Sequence, residues 1–163
     1  MNPCPCGNAG SDAAPCRCPV NVPERYANRI SGPLRDRIDL WVVMPRVPAA
    51  ALISASAPED SATVGRRVAN ARASQAARPP GRLNAHVAGR ALRAACRLDA
   101  AGERRTIELA DLERLSGRGT ERLLRVARTI ADLAGEARVE AAHLDEAARF
   151  RSPASRLSHR LAG

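Results

Sequence analysis

Four cysteines stand within the first eighteen residues: Cys4, Cys6, Cys16 and Cys18, spaced C-x-C-x9-C-x-C. Thiols at this density can bind a metal ion as thiolates. Zinc takes four of them tetrahedrally and so staples a loop too short to build a core. Each pair has one intervening residue rather than the two of a common zinc knuckle. Reduced thiols in a loop and redox chemistry therefore stand beside zinc as readings of the pattern. Cys96 lies on an apolar helical face and reads as a small core residue. Ser31 has no His and Asp arranged for nucleophilic catalysis, and His86, His143 and His159 are scattered. Two arginines lie in contexts that suit phosphate contact: Arg37 in G-P-L-R-D-R-I-D-L over 32–40, and Arg118 in L-S-G-R over 115–118. Yet the chain has no glycine loop to cradle phosphates, and no lysine at all.

A chain of 163 residues suits one domain, or one domain plus a fragment. Hydrophobic residues make up 45% of it but aromatics only 2%, so the core must be modest, helical and built from Leu, Val and Ile. The net charge of +9 favours anionic partners: nucleic acid, nucleotide or acidic protein. That charge is spread along the helices, which also fits a solvated basic surface. No apolar run approaches the roughly 18 residues of a membrane span. The N-terminus is polar and cysteine-rich, unlike a secretory leader, so a cytoplasmic protein is expected.

These residues need elements to position them. Residues 1–23 read as a loop, and 24–32 as a short helix ended by Gly32 and Pro33. Residues 38–44, I-D-L-W-V-V-M, read as a strand closed by Pro45; a lone strand needs a sheet from other residues or another chain. Residues 48–58 read as a linker. Helices follow over 59–77 (Val64, Val68, Ala71 and Gln75 inward, Pro79 and Pro80 beyond the end), around Ala88, Leu92, Ala95 and Cys96, and over 99–115. The clearest helix carries Leu123, Ala127, Ile130 and Ala134 on one face, with Ser116 as its cap, Gly135 at its end, and Arg118, Arg122, Arg125 and Arg128 on the opposite face. A last helix over 140–151 turns Leu144, Ala147 and Ala148 inward.

Taken together, several stretches resemble the magnesium-chelatase-like AAA+ ATPases of the ComM/YifB family. They are N-P-C-P-C-G over 2–7, C-R-C over 16–18, R-Y-A-N-R-I-S-G-P-L-R-D-R-I-D-L over 25–40, M-P-R-V over 44–47, L-N-A over 83–85, L-S-G-R over 115–118, V-A-R-T-I-A-D-L over 126–133 and H-L-D-E-A over 143–147. They run in the family's order through almost the whole chain and correspond to the C-terminal third of such a protein. The Walker A and Walker B segments are not among these residues.

The resemblance implies a mainly α fold. Residues 49–163 would form the helical-bundle lid of an AAA+ module. Residues 1–48 would be a remnant of its α/β core, poorly ordered alone, holding the cysteine loop, the arginine-finger segment and one strand. It implies roles as well. Asn2 looks like the sensor-1 residue, and Arg37 like the arginine finger aimed at a neighbour's γ-phosphate. Arg118 looks like sensor 2, with Arg122 as the alternative. ATP and Mg²⁺ are implied as cofactors of the intact family, and a hexameric ring of copies and DNA as partners. In the ComM branch the activity would be branch migration in natural transformation; in the chelatase relatives it would be metal insertion into a porphyrin. The chain alone is expected not to hydrolyse ATP. Two departures stand out: Arg35, where the family usually has leucine, and Gly119, which in a helix start costs up to about 1 kcal/mol against alanine. Two further readings are a basic module binding DNA backbone through Arg118, Arg122 and Arg125, and a zinc-stapled protein interaction module.

Overall fold

A computed structural model describes residues 1–11, 14–35, 37–44, 47–54 and 59–151. These residues are mainly α-helical, and no strand occurs among them. They divide into two compact units, one holding Met1–Trp41 and the other Val42–Arg151.

The first unit contains the cysteine loop, helix α1 (Val22–Ala27) and the single turn α2 (Gly32–Arg35). This corrects the helix expected over 24–32. Pro23 sits in the first turn of α1, and Gly32 with Pro33 opens α2 instead of closing a helix. Proline's fixed φ and missing N–H suit a first helical turn, where that N–H would have no partner.

The strand expected over 38–44 does not form. Leu40, Val42, Val43 and Met44 are 53%, 62%, 64% and 83% exposed. β-Branched sequence favours a strand only where a neighbour completes the ladder, and the described residues supply none. Pro45 lies outside them. The linker expected over 48–58 is helical in part, as α3 (Ala49–Ser54). Its alanines and leucine are good helix formers, and their propensity prevails over the Pro/Ser-rich surroundings. Residues 55–58 and 152–163 lie outside the described part.

The second unit continues with α4 (Ser61–Ala77), α5 (Gly89–Cys96), α6 (Ala100–Leu112), α7 (Gly117–Ala134) and α8 (Ala141–Arg149). Short polar side chains set the starts. Asp60 accepts from the Thr63 N–H at 2.8 Å, Asp99 from the Gly102 N–H at 2.8 Å, and Ser116 from the Gly119 N–H at 3.1 Å. Gly135, at φ +78°, ends α7 in the left-handed conformation open to glycine. Helix α7 is the central element and packs against α4, α5, α6 and α8. Leu92, Cys96, Leu109, Leu123, Leu124, Ala127, Ala131, Val139, Leu144 and Ala147 form the core. On α4 only Ala71 and Gln75 of the expected stripe are buried; Val64 and Val68 are 37% and 38% exposed.

Candidate metal centre and arginine sites

The four cysteines of the first unit converge. Residues 4–7 make a tight turn in which the Gly7 N–H donates to the Cys4 carbonyl at 3.0 Å. Gly7 has φ +81°, which a side chain would strain. The Cys4 and Cys6 sulfurs are 3.4 Å apart, Cys4 and Cys16 3.8 Å, and Cys6 and Cys16 3.7 Å. With Cys18 included, all four sulfurs lie within 4.8 Å of one another. Tetrahedral zinc with bonds near 2.3 Å requires sulfur–sulfur edges of about 3.8 Å, close to the Cys4–Cys16 and Cys6–Cys16 separations, and Cys18 lies near enough to complete the set. A disulfide would need about 2.05 Å. The Ala9 N–H also points at the Cys4 sulfur, at 3.3 Å.

The electrostatics of the thiols match that arrangement. Backbone N–H groups of Arg17 and then Asn8, together with the Cys4 thiol, pull the Cys6 pKa down to about 6. At Cys4, loss of water opposes ionisation, but the Ala9 N–H and the Cys16 and Cys18 thiols outweigh it, and its pKa is lowered. At Cys18 the Cys6 N–H favours the thiolate. Desolvation and the other three thiols overcome it and push the pKa up to about 12. At Cys16 the Cys18 N–H is likewise overcome by desolvation and by Cys6 and Cys4, and the pKa rises. The surroundings thus favour the thiolate at Cys6 and Cys4 and oppose it at Cys16 and Cys18. A divalent cation among the sulfurs would favour the thiolate at all four.

Asn2 is exposed at the start of the same loop; a Cβ on Gly7 would lie 4.0 Å from its Nδ2. Arg37 is exposed just after α2, and its N–H donates to the Leu34 carbonyl at 3.0 Å. Arg118 and Arg122 belong to the other unit. Arg118 is exposed in the first turn of α7, and Arg122, one turn on, is half-buried.

The basic face expected on α7 needs correction. Arg125 directs Nε and Nη2 at the Val87 carbonyl, each at 3.3 Å. Arg128 is wholly buried. Its guanidinium pairs with Asp132 at 2.9 Å and donates to the carbonyls of Ala95 at 3.4 Å, Ala137 at 3.2 Å and Glu136 at 2.5 Å. Asp132 also receives Arg78 Nη2 and Asn84 Nδ2, the latter at 2.8 Å. Asn84 further donates to Thr129 Oγ1 at 3.0 Å, and its N–H reaches the Gln75 side chain at 3.0 Å. One buried polar network thus joins the end of α4, the turn Asn84–His86 and α7. Amphipathicity alone reads Arg128 as solvated. The signal for burial was local: Leu124 and Ala131, at i−4 and i+3 on the same face, are both core residues.

This helical bundle, entered from a cysteine loop, matches a known family. Residues 58–151 match the magnesium chelatase, subunit ChlI C-terminal profile, and residues 1–52 match the magnesium chelatase, subunit ChlI profile. The chain belongs to this magnesium-chelatase family and carries its C-terminal domain. It is 45% identical over 137 residues to an uncharacterized protein of Mycobacterium tuberculosis, covering 82% of this chain and 27% of that protein. It is 38% identical over 157 residues to the uncharacterized protein YifB of Escherichia coli, covering 93% and 30%. It is 36% identical over 129 residues to the competence protein ComM of Haemophilus influenzae, covering 78% and 25%. The chain therefore spans between a quarter and a third of the length of these relatives. No helix among the described residues is long and apolar enough to cross a membrane.

Proposed function

We propose that this chain is the C-terminal part of a ComM-like ring ATPase. In this reading residues 49–163 act as the helical lid of an AAA+ module, and residues 1–48 carry the end of its core. Arg37 is the arginine finger, set against the γ-phosphate of a neighbouring subunit. Asn2 is the polar residue that places the attacking water. Arg118 is the sensor-2 contact to the nucleotide of its own subunit.

The observation that carries the reading is the match of both family profiles in order along the chain. The exposure of Arg37 and of Arg118 supports it. A fixed guanidinium can stabilise charge on the transferred phosphoryl, with effects of roughly 10³–10⁵ in rate in other NTPases. Arg118 also stands in the first turn of an 18-residue helix, whose N-terminal dipole favours an anion. Arg122 is the weaker choice, because it is half-buried where Arg118 is exposed.

These residues contain no phosphate loop, so they do not by themselves hold ATP or its Mg²⁺. What they contribute is positioned positive charge. A cytoplasmic ring of such subunits would act on DNA in branch migration. The net charge of +9 supports an anionic partner.

The test is ATP-dependent ring assembly of a full-length relative such as YifB, with alanine placed at its counterparts of Arg118 and Arg122, followed by sedimentation. Association that strengthens with ATP in the wild type, weakens in the variant at the Arg118 counterpart and persists in the variant at the Arg122 counterpart is the expected pattern. Association indifferent to ATP, or equally reduced by both variants, contradicts the assignment of sensor 2.

A further inference from the structure

We propose that Cys4, Cys6, Cys16 and Cys18 form a closed structural site for one zinc ion, which holds the first unit together in place of a hydrophobic core.

Three independent observations converge on it. The sulfurs of Cys4, Cys6 and Cys16 lie 3.4 to 3.8 Å apart, near the edge length of a zinc tetrahedron, and the Cys18 sulfur lies within 4.8 Å of all three. The Ala9 N–H is directed at the Cys4 sulfur at 3.3 Å, a donor that suits a thiolate ligand. The third observation is packing. Among the described residues of the Met1–Trp41 unit, Cys4 is the single buried one, and α1 buries none. These residues therefore bury little apolar area with which to offset the entropy of folding. Small domains meet that deficit with a metal or disulfides.

The donor set fixes the class of ion. Four thiolates and no oxygen ligand select zinc over magnesium or calcium. With all four corners held by protein the site is closed, which marks it as structural rather than catalytic. The tetrathiolate carries a net charge of two minus. Arg17 lies between two of its ligands in sequence, and Arg25 and Arg29 line a cleft with Pro5, the residue between the other two. Loading exchanges thiol protons for the ion, and the protons leave to the buffer.

The test uses the whole chain, purified under reducing conditions without chelator. Elemental analysis is expected to find one zinc per chain. Replacement by Co²⁺ is expected to give the visible bands of a tetrahedral tetrathiolate. Cys4→Ser and Cys16→Ser are each expected to weaken zinc binding by at least about tenfold in competition with a chromophoric chelator. Cys96→Ala, in the other unit, keeps the ion. Helical circular dichroism from α4–α8 shows whether a variant is otherwise folded. The wild-type cobalt spectrum decides even where a variant is not. Four freely alkylated thiols with no cobalt spectrum, or a mass showing disulfides among the four, would overturn the proposal.

Discussion

Arg128 and Asp132 show how far a residue's meaning depends on what surrounds it. An isolated guanidinium in a protein interior is costly. Here it has a carboxylate and three carbonyls, at the place where α7 ends and the chain turns back toward α8. Removing one partner of such a pair strands the other. Asp132→Ala is therefore expected to destabilise the helical unit by about 3–5 kcal/mol, read by urea unfolding. Thr129→Val, which removes one neutral acceptor of Asn84, is expected to cost only about 1 kcal/mol. Cys96 provides a pH test in the same core. Burial pushes its thiol up to about 11, against the partial relief of Arg128 and Arg78. Since the folded pKa lies above the unfolded value of 9.0, this contribution is complete below pH 9 and is lost as pH rises toward 11. Urea midpoints of the wild type should fall across that window, and those of Cys96→Ala should fall less.

At the scale of elements, the helices were legible where capping residues and apolar spacing agreed. Ser116, Gly135, Leu123 and Ala127 define α7 in sequence and in structure alike. Legibility failed where the deciding partner was remote. Residues 38–44 have strand composition but no neighbouring strand among the described residues, and α3 is a helix in a stretch whose prolines suggested a linker. The cysteine spacing suggested a metal site, but not that the loop brings all four sulfurs together. The motif V-A-R-T-I-A-D-L was visible without its purpose, because Asp132 meets Asn84 48 residues away in sequence. Gly119 is the clearest revision. Alanine there would place Cβ 3.3 Å from the Leu115 Cβ and 3.5 Å from Ser116 Oγ, so helix propensity is set against packing. Gly65, exposed within α4, has nothing within 4 Å of such a Cβ. Gly65→Ala should raise stability by up to about 1 kcal/mol, whereas Gly119→Ala should lower it. A thermal melt of the two variants distinguishes the cases.

At the scale of the whole molecule, the two units are built on different physics. The helical unit rests on an apolar core and a buried polar network. Among its described residues the cysteine unit buries one side chain, and we propose that it holds a metal ion. Chelation should therefore act on one unit alone: a strong zinc chelator is expected to open residues 1–18 to proteolysis and leave the α4–α8 circular dichroism unchanged. Both units serve a single purpose if the chain is part of a ring ATPase, since each then delivers a cation to a phosphate it cannot bind alone. The decisive measurement is ATP hydrolysis by a full-length relative whose counterpart of Arg37 is alanine, with this chain added in increasing amounts. Activity is expected to recover by at least about tenfold with the wild-type chain and not at all with Arg37→Ala, as a finger acting in trans requires. Co-assembly with no recovery, or equal recovery by Arg37→Ala, would contradict it.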